Sequence, residues 1–364
     1  MPSVAKAAVL TEQKKDLEIV YYPLPGVEPG CILVKVSCCT ICGSDVHTWM
    51  GRRPGPVPCI LGHEIVGEIV EIGKGATHDS GNRPIEIGDR ITWTIFDSCG
   101  KCYYCREKGL MMKCRLLKKY GHDNCSNSPH FMGGFAEYCY ITPGTCVIKV
   151  PDNLTDEVAA PANCALSTAV AGWEAINIQP FENVLIFGAG ALGIYAAALA
   201  KHYGCRRIIV TDIIDHRLEF IKDFGATDTF NSKKMKEAEI VQTVYDLTAG
   251  FGVDGVMEVA GIPALIPTGL KCLRKGGRFV EIGNSFPEAT FTYDACDIIW
   301  RRLTLKGIHN YDTKHLQAGI DFLSMTQKKF PFRKMITHRF TLEEINEALR
   351  IADSGKAIRV AVLP

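Results

Sequence analysis

The sequence predicts an α/β protein of two domains, a β-rich domain followed by a doubly wound parallel sheet. The length of 364 residues suits about two domains. Up to about residue 161, short apolar runs alternate with Gly and Pro, which is typical of strands joined by turns. Beyond that point strands alternate with helices, and this alternation predicts right-handed crossovers and a parallel sheet.

Composition and charge are those of an ordinary globular chain. Apolar residues make up 47% and charged residues 22%, and 41 Lys and Arg against 40 Asp and Glu leave a net charge of +1. This balance excludes extensive disorder and gives no general attraction to nucleic acid or to anionic membranes. The N-terminus lacks a signal peptide, and glycines interrupt the apolar run 184–200, so we expect a cytoplasmic protein without a membrane span.

The chain contains sixteen cysteines, which is many for its length. Disulfide-stapled folds occur mainly in small secreted domains, so reduced thiols that include metal ligands are the better interpretation. Thiols in apolar surroundings are predicted to be core residues, namely Cys31, Cys38, Cys39, Cys59, Cys139, Cys205 and Cys272.

Strands of the first domain are predicted where apolar runs lie between turn residues. These runs are 32–36, 65–70, 90–93 and 146–150. In the second domain strands are predicted at 184–187, 207–211, 255–259 and 278–282, with helices at about 191–203, 216–224, 239–247 and 263–273. After residue 308 the pattern predicts one more helix, 342–353, and a closing strand, 357–363.

A glycine-rich turn follows the first strand of the second domain. Gly188, Gly190 and Gly193 form G-x-G-x-x-G between a strand and a helix, where backbone N–H groups bind a pyrophosphate. Asp212 ends the next strand, where a carboxylate accepts hydrogen bonds from a ribose diol and repels a 2′-phosphate. The sequence therefore favours NAD over NADP, with Arg217 able to soften that preference. A turn used only for packing is the alternative.

Four cysteines lie close together in one short lobe. Cys99, Cys102, Cys105 and Cys114 supply four thiolates, which complete a tetrahedral shell and predict a closed, structural Zn²⁺ site. An iron–sulfur cluster is the alternative for four sulfurs, but a single lobe without partner motifs favours zinc.

A second set of candidate metal ligands is dispersed along the chain. Cys42, His63 and Cys164 offer two thiolates and an imidazole, which leave one position of a Zn²⁺ ion open for substrate, as a catalytic site requires. Each of these residues alone is more often structural, and the segment around Cys164 also suits a packed helix start.

Polar residues near Cys42 complete this prediction. Asp45 is placed to hydrogen-bond the non-ligating nitrogen of His63 and so to fix its tautomer. Ser44 and His47 flank the same loop and form a candidate relay that passes the alcohol proton to solvent.

Together these segments resemble the zinc-dependent medium-chain alcohol dehydrogenases over essentially the whole chain. The matching segments are 42–47, 62–67, the cysteine lobe, 133–138, Cys164 with Thr168, and the glycine turn. The resemblance implies a GroES-like catalytic domain, formed by residues 1–166 and 309–364 and carrying the structural zinc lobe. It also implies a Rossmann NAD-binding domain over residues 167–308, and a homodimer or homotetramer.

The resemblance implies roles for individual residues as well. The dispersed ligands match the catalytic zinc ligands of the family, with Glu64 as an alternate or exchange ligand. Ser44 and His47 match its proton relay, Thr168 a nicotinamide contact, and Arg359 an arginine near the C-terminus that contacts the pyrophosphate.

Two features depart from the family pattern. Eight residues, 106–113, precede Cys114 where the family usually has seven, and a loop accommodates the extra residue easily. Many polyol and threonine dehydrogenases have Glu where this chain has Cys164, so the chain follows the alcohol dehydrogenase pattern at that position.

A narrower resemblance indicates a subgroup associated with phosphonate catabolism, through segments 51–54, 61–67, 119–122 and 160–165. Arg52 and Arg53 closely follow the relay loop, and guanidinium groups suit phosphonate or sulfonate oxygens. Arginines that are solvated or touch the coenzyme are the alternative. Trp49 is a candidate pocket wall or core residue.

The predicted function is reversible oxidation of an alcohol to an aldehyde or ketone by NAD, with two Zn²⁺ ions per subunit. A polyol or threonine dehydrogenase shares this chemistry. Two other classes are alternatives. A zinc-independent quinone reductase is disfavoured because it does not require the dispersed ligands, and a zinc-storage protein is disfavoured because it does not require the glycine turn.

Overall fold

A computed structural model describes residues 2–364, which fall into two compact units. Unit 1 comprises the chain up to Ser167 together with Asp312–Pro364, and unit 2 comprises Thr168–Tyr311. The observed divisions lie within a few residues of the predicted ones, which follow residues 166 and 308.

The elements are numbered in chain order. The strands are β1 (Val4–Leu10), β2 (Glu18–Pro23), β3 (Ile32–Thr40), β4 (Cys59–Ile60), β5 (Glu64–Ile72), β6 (Arg90–Asp97), β7 (Lys118–Lys119), β8 (Tyr138–Ile141), β9 (Thr145–Lys149), β10 (Asn183–Phe187), β11 (Arg207–Asp212), β12 (Asp228–Asn231), β13 (Val253–Glu258), β14 (Leu273–Glu281), β15 (Thr304–Gly307), β16 (Ile336–Thr341) and β17 (Arg359–Leu363). The α-helices are α1 (Gly43–Trp49), α2 (Tyr103–Arg106), α3 (Asp156–Ala159), α4 (Ala165–Ile176), α5 (Ala191–His202), α6 (Asp215–Phe220), α7 (Glu237–Leu247), α8 (Leu265–Cys272), α9 (Ala295–Arg301), α10 (Thr313–Thr326) and α11 (Ile345–Asp353).

Unit 1 is built on two sheets. One has the order β2-β1-β4, and the other runs β16-β17-β3-β5-β6-β7, with β8 paired to β3 and β9 to β6. The last strand, β17, pairs antiparallel with β3 through Ala361 opposite Thr40 and Val362 opposite Cys39. The C-terminal segment therefore returns to the sheet that carries the N-terminal strands.

One apolar core joins the N-terminal and C-terminal parts of unit 1. Trp93 and Phe135 are fully buried in it. Ile345, Ala348 and Leu349 form the buried stripe of α11 and belong to the same core. Burial of one large apolar side chain is worth about 1.5–3 kcal/mol, so this stripe helps to hold α11 on the core.

Unit 2 contains a six-stranded parallel sheet with the order β12-β11-β10-β13-β14-β15. Its inner strands are buried on both faces, as β13 is along its whole length, which explains their continuous apolar runs. The strand order reverses between β10 and β13, and open parallel sheets bind ligands outside the carboxyl ends of the strands at such a point.

The fold confirms the predicted β-rich domain and doubly wound sheet, whereas some element bounds differ. β6 extends to Asp97, and the predicted helix 216–224 is α6 followed by a 3-10 turn, Ile221–Phe224. The predicted core thiols are buried except Cys205, which is half-buried. Across residues 2–364, no helix combines the length and apolar character that crossing a membrane requires.

Candidate active site

Three candidate metal ligands from distant parts of unit 1 meet at one point. Cys42 is the N-cap residue of α1, His63 lies between β4 and β5, and Cys164 directly precedes α4. One ligand atom from each side chain lies within 4.8 Å of the others. Two sulfurs and one imidazole nitrogen fit Zn²⁺, and they leave one position of a tetrahedral shell open.

The two thiols of this set influence each other strongly. A hydrogen bond from the Cys164 thiol, helped by His63, holds the pKa of Cys42 well below its ordinary value although burial opposes this. The same hydrogen bond and burial hold the pKa of Cys164 well above its ordinary value. A dication bound by both sulfurs would displace the thiol protons, because thiolates are the metal-ligating form of cysteine.

Asp45 fixes the orientation of His63. Its fully buried carboxylate accepts hydrogen bonds from the N–H of Cys42 at 2.9 Å and of Gly62 at 3.1 Å, and lies 3.0 Å from Nδ1 of His63. Burial acts to lower the pKa of His63, but the charge and hydrogen bond of Asp45, together with those of Cys42, outweigh it and raise that pKa to about 10. Because Asp45 holds Nδ1, Nε2 is the nitrogen that remains for a metal.

The predicted relay residues lie on α1. Oγ of Ser44 is 3.3 Å from Nε2 of His63, so its hydroxyl lies beside the ligand set. His47 lies one turn later on an exposed position, where loss of hydration on its inner side and the positive charge of Arg52 lower its pKa. A hydroxyl next to the ligands and an imidazole near solvent suit a proton relay.

Glu64 lies next to the ligands in a buried polar cluster. Its Oε2 accepts a hydrogen bond from the Thr40 hydroxyl at 2.5 Å, and its Oε1 lies 3.3 Å from the guanidinium of Arg359. Burial raises the pKa of Glu64 to about 7, and Arg359 opposes this shift. Arg359 also donates to the carbonyl of Ile41 at 2.8 Å. The predicted roles of Glu64 as exchange ligand and Arg359 as pyrophosphate contact stay predictions. Thr40 was not among the predicted site residues.

Two of the three predicted substrate residues are engaged elsewhere. Arg52 is exposed and forms an ion pair with Asp353 at 3.0 Å. Trp49 is buried in the core of unit 1, and its Nε1 donates to the carbonyl of Lys15 at 2.8 Å. Arg53 differs from both, because it is half-buried and its guanidinium has no hydrogen bond or ion pair within residues 2–364.

Two further basic residues near the ligands were missed by the sequence analysis. The ring of His122 lies 5.0 Å from that of His63. Burial lowers the pKa of Lys119 to about 8, as does the charge of Arg53, whereas the ligand thiolates raise it. Both residues belong to segment 119–122, which the sequence analysis used only for the subgroup resemblance. They were missed because no spacing rule connects them to His63.

The four lobe cysteines form a separate cluster whose sulfurs all lie within 4.8 Å of one another. The N–H groups of Cys99 and Leu116 each approach Sγ of Cys114 at 3.3 Å. Backbone N–H groups also lower the pKa of Cys102 to about 6. Four soft donors in a closed set fit a structural Zn²⁺. A 3-10 turn at Met111–Lys113 lies within the longer spacing before the last cysteine.

The glycine turn of unit 2 lies between β10 and α5. Gly188 has a φ of +105°, and a Cβ on Gly193 would lie 1.9 Å from the Gly188 carbonyl oxygen, so both positions require glycine. A Cβ on Gly190 would meet nothing within 4 Å. This open space at the N-terminus of α5 fits the pyrophosphate of a dinucleotide.

The other predicted coenzyme residues of unit 2 lie on elements near this turn in sequence. At the end of β11, the Asp212 carboxylate accepts hydrogen bonds from the N–H of Ala189 at 2.7 Å and of Ile213 at 2.7 Å, which ties the glycine turn to β11. Arg217 lies in α6, directly after that strand, and Thr168 is buried in α4.

An acidic cluster at the ends of β13 and β14 was also missed. Glu258 is fully buried and accepts hydrogen bonds from the N–H of Ala260 at 3.0 Å and of Gly261 at 2.9 Å. Burial and the nearby Glu281 raise the pKa of Glu258 to about 8. Asn284 donates to both carboxyl groups. The sequence signal that could have revealed this cluster is a carboxylate at the carboxyl end of a buried strand, because ligands bind at that edge of a parallel sheet.

Comparisons with known proteins decide the family. The family described as Alcohol dehydrogenase GroES-like domain matches residues 28–152, and the family described as Zinc-binding dehydrogenase matches residues 191–325. An L-threonine 3-dehydrogenase from Shewanella loihica is 32% identical over 363 residues, which cover 97% of this chain and 98% of that protein. The chain belongs to the zinc-dependent medium-chain alcohol dehydrogenase family.

Solved structures of similar proteins share the fold of this chain. An alcohol dehydrogenase from Thermotoga maritima has a TM-score of 0.93 and 31% identity, with 99% of each chain covered. A candidate zinc-binding dehydrogenase from Sinorhizobium meliloti 1021, solved with NADP, has a TM-score of 0.88 and 27% identity over both full chains. The family, the fold class, the zinc and nicotinamide cofactors and action on CH–OH groups are confirmed. The phosphonate subgroup stays a prediction.

Proposed function

We propose that this chain oxidises a small alcohol reversibly to its aldehyde or ketone with NAD as the hydride acceptor. The observation that supports this most directly is the meeting of Cys42, His63 and Cys164 within 4.8 Å. Ser44 lies 3.3 Å from Nε2 of His63 and adds a proton acceptor beside them. A bound Zn²⁺ supplies Lewis-acid polarisation of the substrate oxygen.

Other residues of the two units orient a ligand, transfer the proton and bind the coenzyme. Asp45 keeps His63 in the tautomer that offers Nε2. Ser44 accepts the hydroxyl proton as it releases its own, and His47 passes that proton to solvent. In unit 2 the glycine turn binds the pyrophosphate through its N–H groups, and Thr168 contacts the nicotinamide ring.

An activity screen of the zinc-loaded chain with NAD tests this function. Simple alcohols, polyols, L-threonine and hydroxyalkyl phosphonates and sulfonates are compared by NADH absorbance, and bound metal is measured by plasma mass spectrometry. We expect two zinc ions per chain, one for each cysteine-containing ligand cluster, and NADH formation with at least one alcohol. A fully zinc-loaded chain that reduces NAD with none of these classes would refute the proposal.

L-Threonine is the second candidate substrate. Relatives from Shewanella loihica and Escherichia fergusonii, at 32% and 33% identity, carry the name L-threonine 3-dehydrogenase. Cys164 favours a simple alcohol instead, since many threonine dehydrogenases have Glu at that position. In the same screen, a kcat/KM for L-threonine about tenfold above that of every other alcohol would favour the second candidate.

We propose that Asp212 makes NAD the preferred coenzyme. Asp212→Asn keeps an oxygen that accepts the N–H of Ala189 but removes the charge that repels a 2′-phosphate. We expect the ratio of kcat/KM for NADP to that for NAD to rise at least ~30-fold, since two charges about 4 Å apart near a protein surface interact by about 4 kcal/mol. Asp215→Asn, the same change at an exposed position in α6, is the control and should leave the ratio unchanged.

We also propose a homodimer or homotetramer that forms through unit 2. β15 is the edge strand of the parallel sheet, and all its residues are exposed. The preceding helix, α9, exposes Ile299 and Trp300. An exposed edge with apolar neighbours suits pairing with a second copy.

Sixteen free thiols support a cytoplasmic location, because a reducing compartment preserves them.

A further inference from the structure

Two carboxyl groups lie side by side at the ends of β13 and β14 in unit 2. Glu258 and Glu281 are register partners on these parallel strands, so their side chains point to the same face of the sheet. The two groups are close enough to form a hydrogen bond with each other. Neither of them forms an ion pair with an Arg or Lys side chain in residues 2–364.

The hydrogen bonds around this pair leave one oxygen without a donor. Oε1 of Glu258 accepts from the N–H of Ala260 at 3.0 Å and of Gly261 at 2.9 Å. Oε1 of Glu281 accepts from the N–H of Asn284 at 3.0 Å and from its side-chain amide at 2.9 Å. Oε2 of Glu281 is buried and has no donor in residues 2–364. Two carboxylates in contact repel each other, so a proton held by Glu258 would remove the repulsion and supply the missing donor.

The charge that acts on Glu258 is that of Glu281. β10 places Phe187 beside the pair, and β15 places Gly307 there. Lys306 precedes Gly307 and therefore points to the other face of the sheet. Asp212 lies beyond β10, at the end of β11, where its carboxylate accepts backbone N–H groups. His309 follows two residues after β15 and has an interaction of its own.

The pair holds two loops that pack on the glycine turn. Glu258 accepts N–H groups of the loop after β13, and Asn284, in the loop after β14, donates to both carboxyl groups. A Cβ on Gly283 would lie 2.5 Å from Oε2 of Glu258 and 2.3 Å from a backbone nitrogen of the other loop, so the two loops are in contact over the pair. A Cβ on Gly188 would lie 3.1 Å from the backbone of Ala260. The loop after β13 therefore rests directly on the glycine turn.

We propose that Glu258 and Glu281 share one proton, and that this proton positions the two loops for binding of NAD at the glycine turn. Both are positioning residues, because they act through the loops rather than on the coenzyme. Loss of the proton leaves two carboxylates in contact, and their repulsion moves the loops away from their positions on the turn. The inference rests on the proposed use of NAD and adds a pH dependence to its binding.

NAD binding is expected to weaken as the pH rises above about 8. Burial and the charge of Glu281 raise the pKa of Glu258 to about 8, so the pair keeps its proton below this pH and loses it above. Calorimetric titration of the zinc-loaded chain with NAD measures the effect. We expect a constant Kd between about pH 6 and about pH 7.5, and a rise of at least ~fivefold by about pH 9.5, because a required proton changes Kd up to about tenfold per pH unit.

Glu281→Gln separates the shared proton from the two side chains. The Gln amide oxygen accepts from Asn284 as Oε1 of Glu281 does, and the amide N–H groups donate to the Glu258 carboxylate without a titrating proton. We expect this variant to bind NAD within about threefold of wild type at about pH 7 and to keep that Kd at about pH 9.5. Glu347→Gln makes the same change at an exposed position of α11 and should keep the wild-type pH profile. Groups elsewhere, such as His47, titrate in all three proteins.

Infrared spectroscopy of the wild-type chain detects the proton without any variant. A protonated carboxyl group has a C=O stretch that a carboxylate lacks, and this band should lose intensity over the same pH range in which Kd rises. The difference spectrum between wild type and Glu281→Gln at about pH 7 should contain the same band.

Three outcomes decide the inference. An equal rise of Kd with pH in wild type and Glu281→Gln would assign the pH dependence to another group and overturn it. A wild-type Kd that stays constant to about pH 9.5, or an infrared spectrum without the titrating band, would overturn it as well. The expected pH profiles of NAD binding in a chain that oxidises no alcohol would support the shared proton and refute the proposed alcohol oxidation alone.

Discussion

Cys42→Ala is expected to remove one of the two zinc ions and to lower kcat/KM for alcohol oxidation at least ~1,000-fold. Cys42 supplies one of three ligand atoms that lie within 4.8 Å of one another, and two remaining ligands hold a dication poorly. Lewis-acid assistance is worth several kcal/mol, and each 1.36 kcal/mol corresponds to a factor of ten in rate. Metal content by plasma mass spectrometry and initial rates at saturating NAD measure both effects.

Cys139→Ala is the matched control for this variant. Cys139 is fully buried in β8, and burial raises the pKa of its thiol, so the same chemical change occurs in the core rather than at a ligand. This control should keep two zinc ions and a kcat/KM within about threefold of wild type. Full activity in a Cys42→Ala chain that has lost one zinc ion would mean that the reaction takes place without this site.

Local spacing made part of the site predictable from the sequence. Asp45 follows Cys42 by three residues, and one helical turn brings its carboxylate to the N–H of Cys42 at 2.9 Å. The same holds for the glycine turn, whose spacing between a strand and a helix follows from the geometry that a pyrophosphate requires. The cysteine lobe is equally local, since all four thiols lie in one short segment.

Contacts between distant segments were not predictable in this way. Arg359 reaches Glu64 because β17 pairs with β3, and Arg52 is neutralised by Asp353 at the end of α11. No periodicity in either partner's own segment encodes such a pair. His122 and Lys119 are the clearest example, because the packing of Gly121 against Gly62 and the pairing of β7 with β6 bring them to the ligands.

Cys105→Ser is expected to remove the zinc ion of the four-cysteine lobe and to lower the melting temperature by about 10 °C or more. Of residues 99–117 only Cys105, Met112 and Cys114 are buried, so the lobe has almost no apolar core of its own. A segment of this kind depends on its metal, and structural zinc contributes on the order of 10 kcal/mol in small domains. Thermal unfolding, metal content and limited trypsin digestion measure the effect, with first cleavage expected inside the lobe.

The catalytic ligands lie outside this segment, so kcat/KM of Cys105→Ser, measured well below its melting temperature, should stay within about tenfold of wild type. This pattern is the reverse of that for Cys42→Ala, which loses activity far more than stability. Cys205→Ser makes the same change at a half-buried thiol of unit 2 and should retain both zinc ions and the wild-type melting temperature. If Cys105→Ser also retained two zinc ions and full thermal stability, the four clustered thiols would not be a metal site. Exposed lobe residues such as Tyr103 and Leu116 would then have to be held in place by contacts other than a metal.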